Sequence, residues 1–255
     1  MLKNIFLELE YDGTDYFGWQ IQDKKLQVTG HRLQAEKTVQ GELEKALKKL
    51  FKQGIRVIYA GRTDRGVHAR QQCVNFKIET DIPLKNVKTA LNAFLPPDIF
   101  IKKIKQVPLD FHARFKVRSK IYRYLIFNKA RPSVFTRNYA QYMPESVDLD
   151  KIRKIIPFLL GKKDVSCFAK EANKYKTCVR EIKGISVKRK GACIYFDIEA
   201  DGFLRNMARN IVAFLVKVGR DKFSLIEAKD IISGKKSYIN KPAPPQGLYL
   251  HKVKY

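Results

Sequence analysis

The sequence predicts an α+β protein made of two similar, ferredoxin- or RRM-like halves. Segments whose apolar residues alternate at period two, typical of strands, are interspersed with segments whose apolar residues recur at helical spacing. This order is repeated in the second half of the 255 residues, a length that suits one large or two modest domains. We therefore expect one half at 1–108 and another at 109–255, with sheets that merge edge to edge and leave a basic central cleft.

The first half is predicted to contain four strands and two helices. Its opening strand alternates from Ile5 to Tyr11 and stops at the turn Asp12-Gly13, and Thr38 is the expected N-cap of the first helix. The polar segment from Gln20 to Lys37 is predicted to be a basic loop. The expected elements are strands at 5–11, 55–60, 74–78 and 99–107 and helices at 39–51 and 84–95.

The second half is predicted to repeat this composition. A hairpin is expected across the basic turn Arg189-Lys190-Gly191, and Pro157 should kink or end the helix that contains it. The expected elements are strands at 120–128, 182–188, 193–200 and 248–253 and helices at 149–160 and 204–215.

The charge balance predicts a polyanionic partner. Lys and Arg number 51 against 25 Asp and Glu, which gives a formal net charge of +26. Such a surplus is expected of a protein that binds nucleic acid, and less often of one that binds an anionic membrane surface. A composition with 45% hydrophobic and 30% charged residues excludes a disordered chain, a collagen and a membrane bundle.

The location is expected to be cytoplasmic, with no membrane association. Apolar runs such as Ile155 to Leu160 are too short to span a bilayer, and the N-terminal residues lack the features of a signal peptide. The four cysteines form no CxxC pair and have no histidine at ligand spacing. We expect reduced thiols rather than a zinc site or disulfides.

The segment from Gly61 to Ala69 is the strongest candidate for chemistry. It follows a predicted strand and contains one carboxylate, Asp64, with arginines at Arg62 and Arg65. A neighbouring cation keeps a carboxylate ionised, which suits a nucleophile rather than a general acid. The alternative interpretation is a surface aspartate tied to arginine in a tight turn.

No metal or nucleotide cofactor is predicted. Metal-assisted hydrolysis needs two or three clustered ligands. Asp12, Asp15 and Asp64 form no DxD pattern, and the sequence contains no HxH pattern. Neither a GxxxxGK[ST] loop nor a GxGxxG after a strand is present. A metal-dependent nuclease is therefore disfavoured.

Two clusters combine aromatic residues with basic or polar ones. The segments 111–115 and 118–124 interleave aromatic rings with arginine and lysine, an arrangement that binds unpaired bases by stacking and phosphates by charge. Residues 11–20 are also rich in aromatic side chains. In both clusters the rings could instead fill the core, as Tyr122 and Tyr124 would if they alternate along a strand.

Taken together, these segments resemble the tRNA pseudouridine synthase A family, and they do so in order over nearly the whole chain. The matching motifs are Tyr11-Asp12-Gly13 with Phe17-Gly18-Trp19-Gln20, Thr38-Val39-Gln40, Gly61-Arg62-Thr63-Asp64 with Gly66-Val67-His68-Ala69, Leu91-Asn92 with Leu95-Pro96, Phe111-His112-Ala113-Arg114-Phe115, Tyr122-Arg123-Tyr124, Met207 with Arg209-Asn210-Ile211-Val212, and Gly247-Leu248-Tyr249-Leu250.

The resemblance implies roles for five residues. Asp64 would be the catalytic aspartate, Arg62 would hold the place of the flipped nucleotide in the stack, and Tyr122 would pack against the target base. Arg209 would pair with Asp64, and Leu248 would line the uracil pocket.

The resemblance also implies a reaction and an assembly. The family isomerises uridine to pseudouridine at positions 38, 39 and 40 of the tRNA anticodon stem-loop, without metal or cofactor. Its fold is a continuous antiparallel sheet flanked by helices, and its homodimers bind tRNA across both subunits. A non-catalytic basic RNA-binding protein is the alternative, which would explain the charge but not the isolated Asp64.

One stretch of the chain departs from the family pattern. Relatives carry Gly-x-His-Asp-Phe where this chain has Gly161-Lys162-Lys163-Asp164-Val165, so Lys163 and Val165 replace His and Phe. We expect the change to affect packing and tRNA contacts rather than chemistry.

A set of basic residues is expected to contact phosphate, although each of them could also belong to a solvated face. These candidates are Lys24, Lys25, Arg32, Arg189 and Lys190.

Overall fold

The computed structural model describes residues 1–21, 37–238 and 241–255. Within them the chain forms two compact units, Met1–Val117 with Tyr255 and Arg118–Lys254. Each unit contains a sheet that is wholly or mostly antiparallel together with helices, which confirms the predicted α+β class. No helix among these residues is both long and apolar enough to cross a membrane.

The first unit is built around its opening strand. Its elements are β1 (Leu2–Tyr11), α1 (Val39–Phe51), β2 (Ile58–Tyr59), β3 (His68–Glu79), α2 (Leu84–Phe94) and β4 (Ile99–Val107). β1 lies between β3 and β4 and pairs antiparallel with both, while β2 pairs with β3. Six consecutive residues of β1, from Asn4 to Leu9, are buried, so this strand forms the centre of the unit.

Five strands of the second unit pair side by side in its sheet. Its elements are β5 (Ser119–Phe127), β6 (Gln141–Tyr142), α3 (Leu149–Leu159), β7 (Gly161–Asp164), β8 (Val179–Lys190), β9 (Cys193–Ala200), α4 (Met207–Gly219), α5 (Leu225–Ile232) and β10 (Leu248–Lys254). The strand order is β10-β5-β9-β8-β7, and the short β6 pairs in parallel with β5. Ten of the thirteen residues of α4 are buried, which makes it the central helix.

Several element boundaries differ from the predictions. The predicted strand at 55–60 is reduced to Ile58–Tyr59, because the Val57 amide donates to Glu44 Oε1 at 3.1 Å instead of to a neighbouring strand. β3 begins six residues before the predicted 74, because two of the polar side chains that obscured its pattern, His68 and Gln72, are buried. α4 begins at Met207 rather than 204, because Asn206 has a left-handed φ of 61°.

Three elements were not predicted, and a fourth ends as expected. β6, β7 and α5 are absent from the predictions, so the described part of the second unit has three α-helices rather than two. α3 contains Pro157 in its last turn and ends two residues later. This agrees with the prediction that Pro157 kinks or ends its helix.

Candidate active site

The loop that contains Asp64 is fixed to the end of β1 and to the segment after it by hydrogen bonds on either side of this residue. The hydroxyls of Tyr11 and Thr63 lie 2.8 Å apart, and the Trp19 amide donates to the Thr63 carbonyl at 3.1 Å. On the other side, the Gly66 amide donates to the Tyr16 carbonyl at 3.2 Å. Thr63 is buried, so Asp64 follows a residue whose backbone and side chain are both fixed.

Two glycines let these segments approach closely. A Cβ at Gly18 would lie 2.6 Å from the Thr63 carbonyl oxygen, and Gly18 has a φ of +95° that side chains rarely adopt. A Cβ at Gly13 would lie 2.1 Å from the Val67 carbonyl oxygen. Both glycines belong to motifs singled out in the sequence, and their backbones brace the Asp64 loop.

Asp12 and His68 support the turn that follows β1. Asp12 Oδ1 accepts from the Thr14 amide at 2.9 Å and from its hydroxyl at 2.6 Å. The buried His68 Nδ1 lies 3.0 Å from both Asp12 Oδ1 and the Gly13 amide nitrogen. Asp12 therefore orders the backbone. Among the described residues, no group of three or more His, Cys, Asp or Glu side chains could hold a metal ion.

The charged residues of the loop differ in their exposure. Asp64 is half-buried, and its carbonyl accepts from the Val67 amide at 3.1 Å. Arg62 is exposed, and its Nε donates to the Tyr59 hydroxyl at 3.1 Å. The Arg65 guanidinium lies 4.1 Å from the centre of the Phe17 ring. The loop thus carries one carboxylate with an arginine on each side of it in the sequence.

In the second unit, Tyr122 and Leu248 share one face of the sheet. Leu248 pairs with Tyr124, and Leu250 pairs with Tyr122, across antiparallel β10 and β5. Paired residues and their neighbours two positions along point to the same face. Tyr122 and Leu248 are both buried, and the Tyr122 ring packs edge-to-face on Phe203 at 4.7 Å between centroids. Phe203 was not predicted, because it lies outside any strand or helix pattern.

Tyr124 ties the strand β5 to the segment before β10. Its hydroxyl lies 2.8 Å from the Pro244 carbonyl oxygen and 2.9 Å from Gln141 Oε1, and it donates to one of them at a time. Burial raises the pKa of Tyr124 well above the usual value for a phenol, and the positive charge of Arg209 lowers it in part. This tyrosine therefore stays protonated and positions the start of β10.

Arg209 is held in the first turn of α4. Its Nε donates to the Ala243 carbonyl at 2.6 Å, and the Ala243 amide donates back to the Arg209 carbonyl at 3.3 Å. The side chain is half-buried, and its charge acts on Tyr124. Of the five predicted site residues, Arg62 and Asp64 thus belong to the first unit, and Tyr122, Arg209 and Leu248 to the second.

The residues that depart from the family pattern have packing roles. Lys163 donates through its ammonium group to the Phe158 carbonyl, and partial burial lowers its pKa. Val165 is buried in the core of the second unit. Val165 has no group that could transfer a proton, and the Lys163 ammonium is engaged by the Phe158 carbonyl.

The predicted phosphate contacts are only partly described. Lys24, Lys25 and Arg32 lie outside the described residues. Arg189 and Lys190 are exposed at the end of β8, and the hairpin turn follows them at 191–192 rather than including them. The Arg189 guanidinium donates to Asn128 Oδ1 at 2.9 Å.

Comparisons with known proteins all point to the same family. The sequence profile of the family PseudoU_synth_1, described as tRNA pseudouridine synthase, matches residues 9–116 and 155–255. The chain is 41% identical over 255 residues to "tRNA pseudouridine synthase A" of Caldicellulosiruptor bescii, and 100% of both chains is covered. It is 40% identical to "tRNA pseudouridine synthase A 2" of Clostridium perfringens, again over 100% of both chains.

Proposed function

The chain belongs to the tRNA pseudouridine synthase family and is an isomerase of tRNA uridine. On that premise we propose that it forms pseudouridine at positions 38, 39 and 40 of the anticodon stem-loop, with Asp64 as the nucleophile. The observation that carries the assignment of Asp64 is the fixed loop between Thr63 and Gly66. A carboxylate on a braced loop can be presented repeatedly in one geometry.

The reaction moves a glycosidic bond from nitrogen to carbon. The bond between uracil N1 and ribose C1′ breaks, and a bond between C5 and C1′ forms. The proton on C5 leaves to solvent, and N1 gains one, so no oxidant or reductant is needed. Asp64 can serve by adding to C6, by attacking C1′ or by removing a sugar proton. All three routes require an ionised carboxylate.

Arg62 is proposed to act while the target nucleotide is out of the stack. Flipping a nucleotide costs a few kcal/mol, and least in a loop or at the end of a stem. Arg62 is exposed and lies two residues before Asp64, so its planar guanidinium can fill the space that the base leaves. The proposed target nucleotides lie in the anticodon stem-loop, where a loop or the end of a stem keeps the cost of flipping low.

The residues of the second unit are proposed to hold the uracil. Tyr122 would pack against the base and Leu248 would line its pocket, so that detached uracil turns without escaping to water. Arg209 would pair with Asp64. These three roles rest on the family resemblance, and the burial of Tyr122 and Leu248 is consistent with them.

The proposal includes no metal and no cofactor. We further propose a homodimer in the cytoplasm, as the resemblance implies. Sedimentation of the purified chain at micromolar concentration would test the dimer.

The deciding experiment measures tritium release from tRNA transcripts labelled at uridine C5, in the presence of chelator, with the modified positions mapped by mass spectrometry. The native chain should release tritium and modify positions 38, 39 or 40. Asp64→Asn should abolish turnover and leave tRNA binding largely intact.

A matched control separates the role of Asp64 from a general loss of charge. Asp81→Asn removes an exposed carboxylate in the same unit and should retain native turnover. Turnover by Asp64→Asn at the native rate would exclude Asp64 as the nucleophile. Binding by the native chain without product on any tRNA would instead favour a non-catalytic RNA-binding protein.

A further inference from the structure

Phe115 presents an aromatic ring to solvent in the first unit. The residue is 75% exposed, whereas large aromatic side chains are usually mostly buried. Its ring stacks on the His112 imidazole, with 4.1 Å between ring centroids and 24° between planes. The ring therefore has one face against His112 and most of its surface available to a ligand.

The turn that carries Phe115 is held by hydrogen bonds from its backbone amides to His112. The amides of Arg114 and Phe115 donate to His112 Nδ1 at 3.2 and 3.3 Å, and the Lys116 amide donates to the His112 carbonyl at 3.1 Å. The imidazole thus fixes the main chain and also supports the ring. Exposure of Phe115 is a feature of an ordered turn.

Two fully buried asparagines anchor the same turn to the sheet. Asn75 Oδ1 accepts from the Ala113 amide at 2.8 Å, and Asn4 Nδ2 donates to the Phe111 carbonyl at 3.0 Å. The two asparagines are joined by a bond of 2.9 Å from Asn75 Nδ2 to Asn4 Oδ1. Buried amides are expensive unless fully paired, so this network positions the turn firmly.

Cations flank the exposed ring on both sides. Arg114 and Lys116 are exposed, and the Arg114 guanidinium lies 5.8 Å from the centre of the Phe115 ring. Lys116 Nζ lies 3.4 Å from Asp110 Oδ2, a pair of exposed side chains. Such surface pairs are weak, so a phosphate can displace the carboxylate. A second copy of this chain seated on this patch about a two-fold axis would bring the same cations against each other.

We propose that Phe115 is a stacking platform for an unpaired base of the tRNA, with Arg114 and Lys116 binding the adjacent phosphates. The inference rests on the proposed function, because it takes tRNA as the polyanion. A base on the outer face of Phe115 extends the stack that His112 begins. Since every base has a π face, the platform contributes affinity with little sequence preference.

The test measures tRNA affinity in the Asp64→Asn background, so that binding is read without turnover. Phe115→Ala and Phe115→Leu should bind unmodified transcripts about 5- to 150-fold more weakly, as expected for a lost base–aromatic stack. Phe115→Tyr keeps the π face and should stay within about twofold. Phe100→Ala is the matched control, because Phe100 is another exposed aromatic of the same unit.

Photo-crosslinking gives a second readout with the native side chain. Transcripts that contain 5-iodouridine should cross-link to Phe115, and the Phe115→Ala chain should lose that cross-linked peptide. Thermal unfolding of each variant should match the parent chain, since the ring is mostly exposed.

Three results would overturn the platform. Affinity of Phe115→Ala equal to that of Phe100→Ala would remove the stacking role, and so would weak binding by Phe115→Tyr. A halved mass of Phe115→Ala in sedimentation would show that a second copy covers the ring. Failure of the proposed function appears separately, as absence of tritium release from the native chain.

Discussion

At the residue scale, the contact between Tyr11 and Thr63 determines how Asp64 is presented. Tyr11 OH lies 2.8 Å from Thr63 Oγ1, and both side chains are buried. Burial raises the pKa of Tyr11 well above its usual value, although hydrogen bonds with Thr63 and Gln72 oppose the shift. Tyr11 is therefore a neutral donor or acceptor at any physiological pH.

Removing the Tyr11 hydroxyl should affect both stability and turnover. Tyr11→Phe leaves the Thr63 hydroxyl buried without this partner, which costs about 1–3 kcal/mol in the free energy of unfolding. We expect kcat to fall more than KM rises, since the loop would lose its fixed geometry. Tyr142→Phe removes an exposed phenol whose bond to the Ala130 carbonyl can be replaced by water, and it should change stability by less than about 0.5 kcal/mol. Native stability and kcat in Tyr11→Phe would contradict this view.

The cysteines provide a pH-dependent test of burial. None of the four forms a disulfide. Desolvation raises the pKa of the Cys73 thiol to about 12 and that of Cys167 to about 11. Because the unfolded thiol ionises near 9.0, these groups favour the unfolded state as the pH rises from about 9 toward the folded values.

The same shifts predict slow thiol modification of the native chain. Alkylation at pH 8, followed peptide by peptide, should label Cys73 far more slowly than in denaturant, because the thiolate is the reacting form. The half-exposed Cys193 should be labelled sooner, which makes it an internal reference. Equal rates for Cys73 in native and denatured chains would refute its burial.

The sequence predicts the Asp64 loop as a candidate site, but it does not predict the buried residues that anchor the Phe115 turn. Asp64 stood out because it is a single carboxylate between arginines in a glycine-bounded segment. Asn4 and Asn75 went unnoticed, although a polar residue within an apolar strand indicates a buried hydrogen bond. Their partners, the carbonyl of Phe111 and the amide of Ala113, are distant in sequence, so no local pattern could reveal them.

At the scale of elements, the segment 13–18 and the Asp64 loop act as one braced pair. Gly18→Ala would place a Cβ 2.6 Å from the Thr63 carbonyl oxygen at a φ of +95°. We expect a loss of about 1–3 kcal/mol in the free energy of unfolding and a fall in kcat, measured by chemical denaturation and tritium release. Gly184→Ala in β8 meets nothing within 4 Å and should be neutral or slightly stabilising. Equal behaviour of the two variants would show that the close approach is unimportant.

The N-terminus of helix α5 is expected to become less stable in acid. Ser224 and Glu227 form a capping box, and Lys236 lies 2.7 Å from Glu227 Oε1. The Lys236 hydrogen bond, followed by the Ser224 contacts, lowers the pKa of Glu227 from 4.5 to about 2. Its stabilising effect is therefore complete above pH 4.5 and is lost as the pH falls toward about 2.

Glu227→Gln tests this dependence. The variant should melt below the native chain at pH 6, and the difference in melting temperature should shrink as the pH falls to 3. Asp150→Asn is the control, because its partner Arg153 forms an exposed i,i+3 pair of little stabilising value. A difference that is independent of pH would exclude the carboxylate as the cause.

α5 also shows why some elements escape prediction. It has eight residues, of which only Ala228 and Ile231 are buried, and Leu225 and Ile226 are exposed. Its apolar residues therefore form no clear stripe, although Ser224 and Glu227 match the capping-box pattern. β9, by contrast, alternates strictly in burial and was predicted with its observed bounds.

At the scale of the whole molecule, the packing of each unit explains the division of the chain. The boundary predicted at 108 rests on a change of pattern, whereas the contacts of Asn4 with the carbonyls of Pro108 and Phe111 hold the following segment to the first unit. The Tyr255 hydroxyl donates to the Ala113 carbonyl at 2.9 Å, which adds the last residue to the same unit. Side-chain hydrogen bonds between residues so far apart in the chain leave no periodic pattern in a sequence.

The net charge of +26 predicts that tRNA binding is dominated by counterion release. If about 6 to 10 phosphates are neutralised, the logarithm of the association constant should fall with the logarithm of salt at a slope near 0.7 to 0.9 per phosphate. Between about 50 and 200 mM salt this amounts to a loss of roughly 10³ to 10⁵ in affinity. Titrating Asp64→Asn with tRNA at several salt concentrations measures the slope without turnover.

Individual cations can then be assigned by their effect on that slope. Arg189→Gln combined with Lys190→Gln removes two exposed charges at the end of β8, and the slope should become shallower by about 1 to 2 if both contact phosphate. Lys151→Gln is the control, since its ammonium lies 2.6 Å from Asp221 Oδ1 and is already neutralised locally. An unchanged slope in the double variant would place both residues on a solvated face. A tRNA affinity of the parent chain that does not depend on salt would contradict electrostatic tRNA binding altogether.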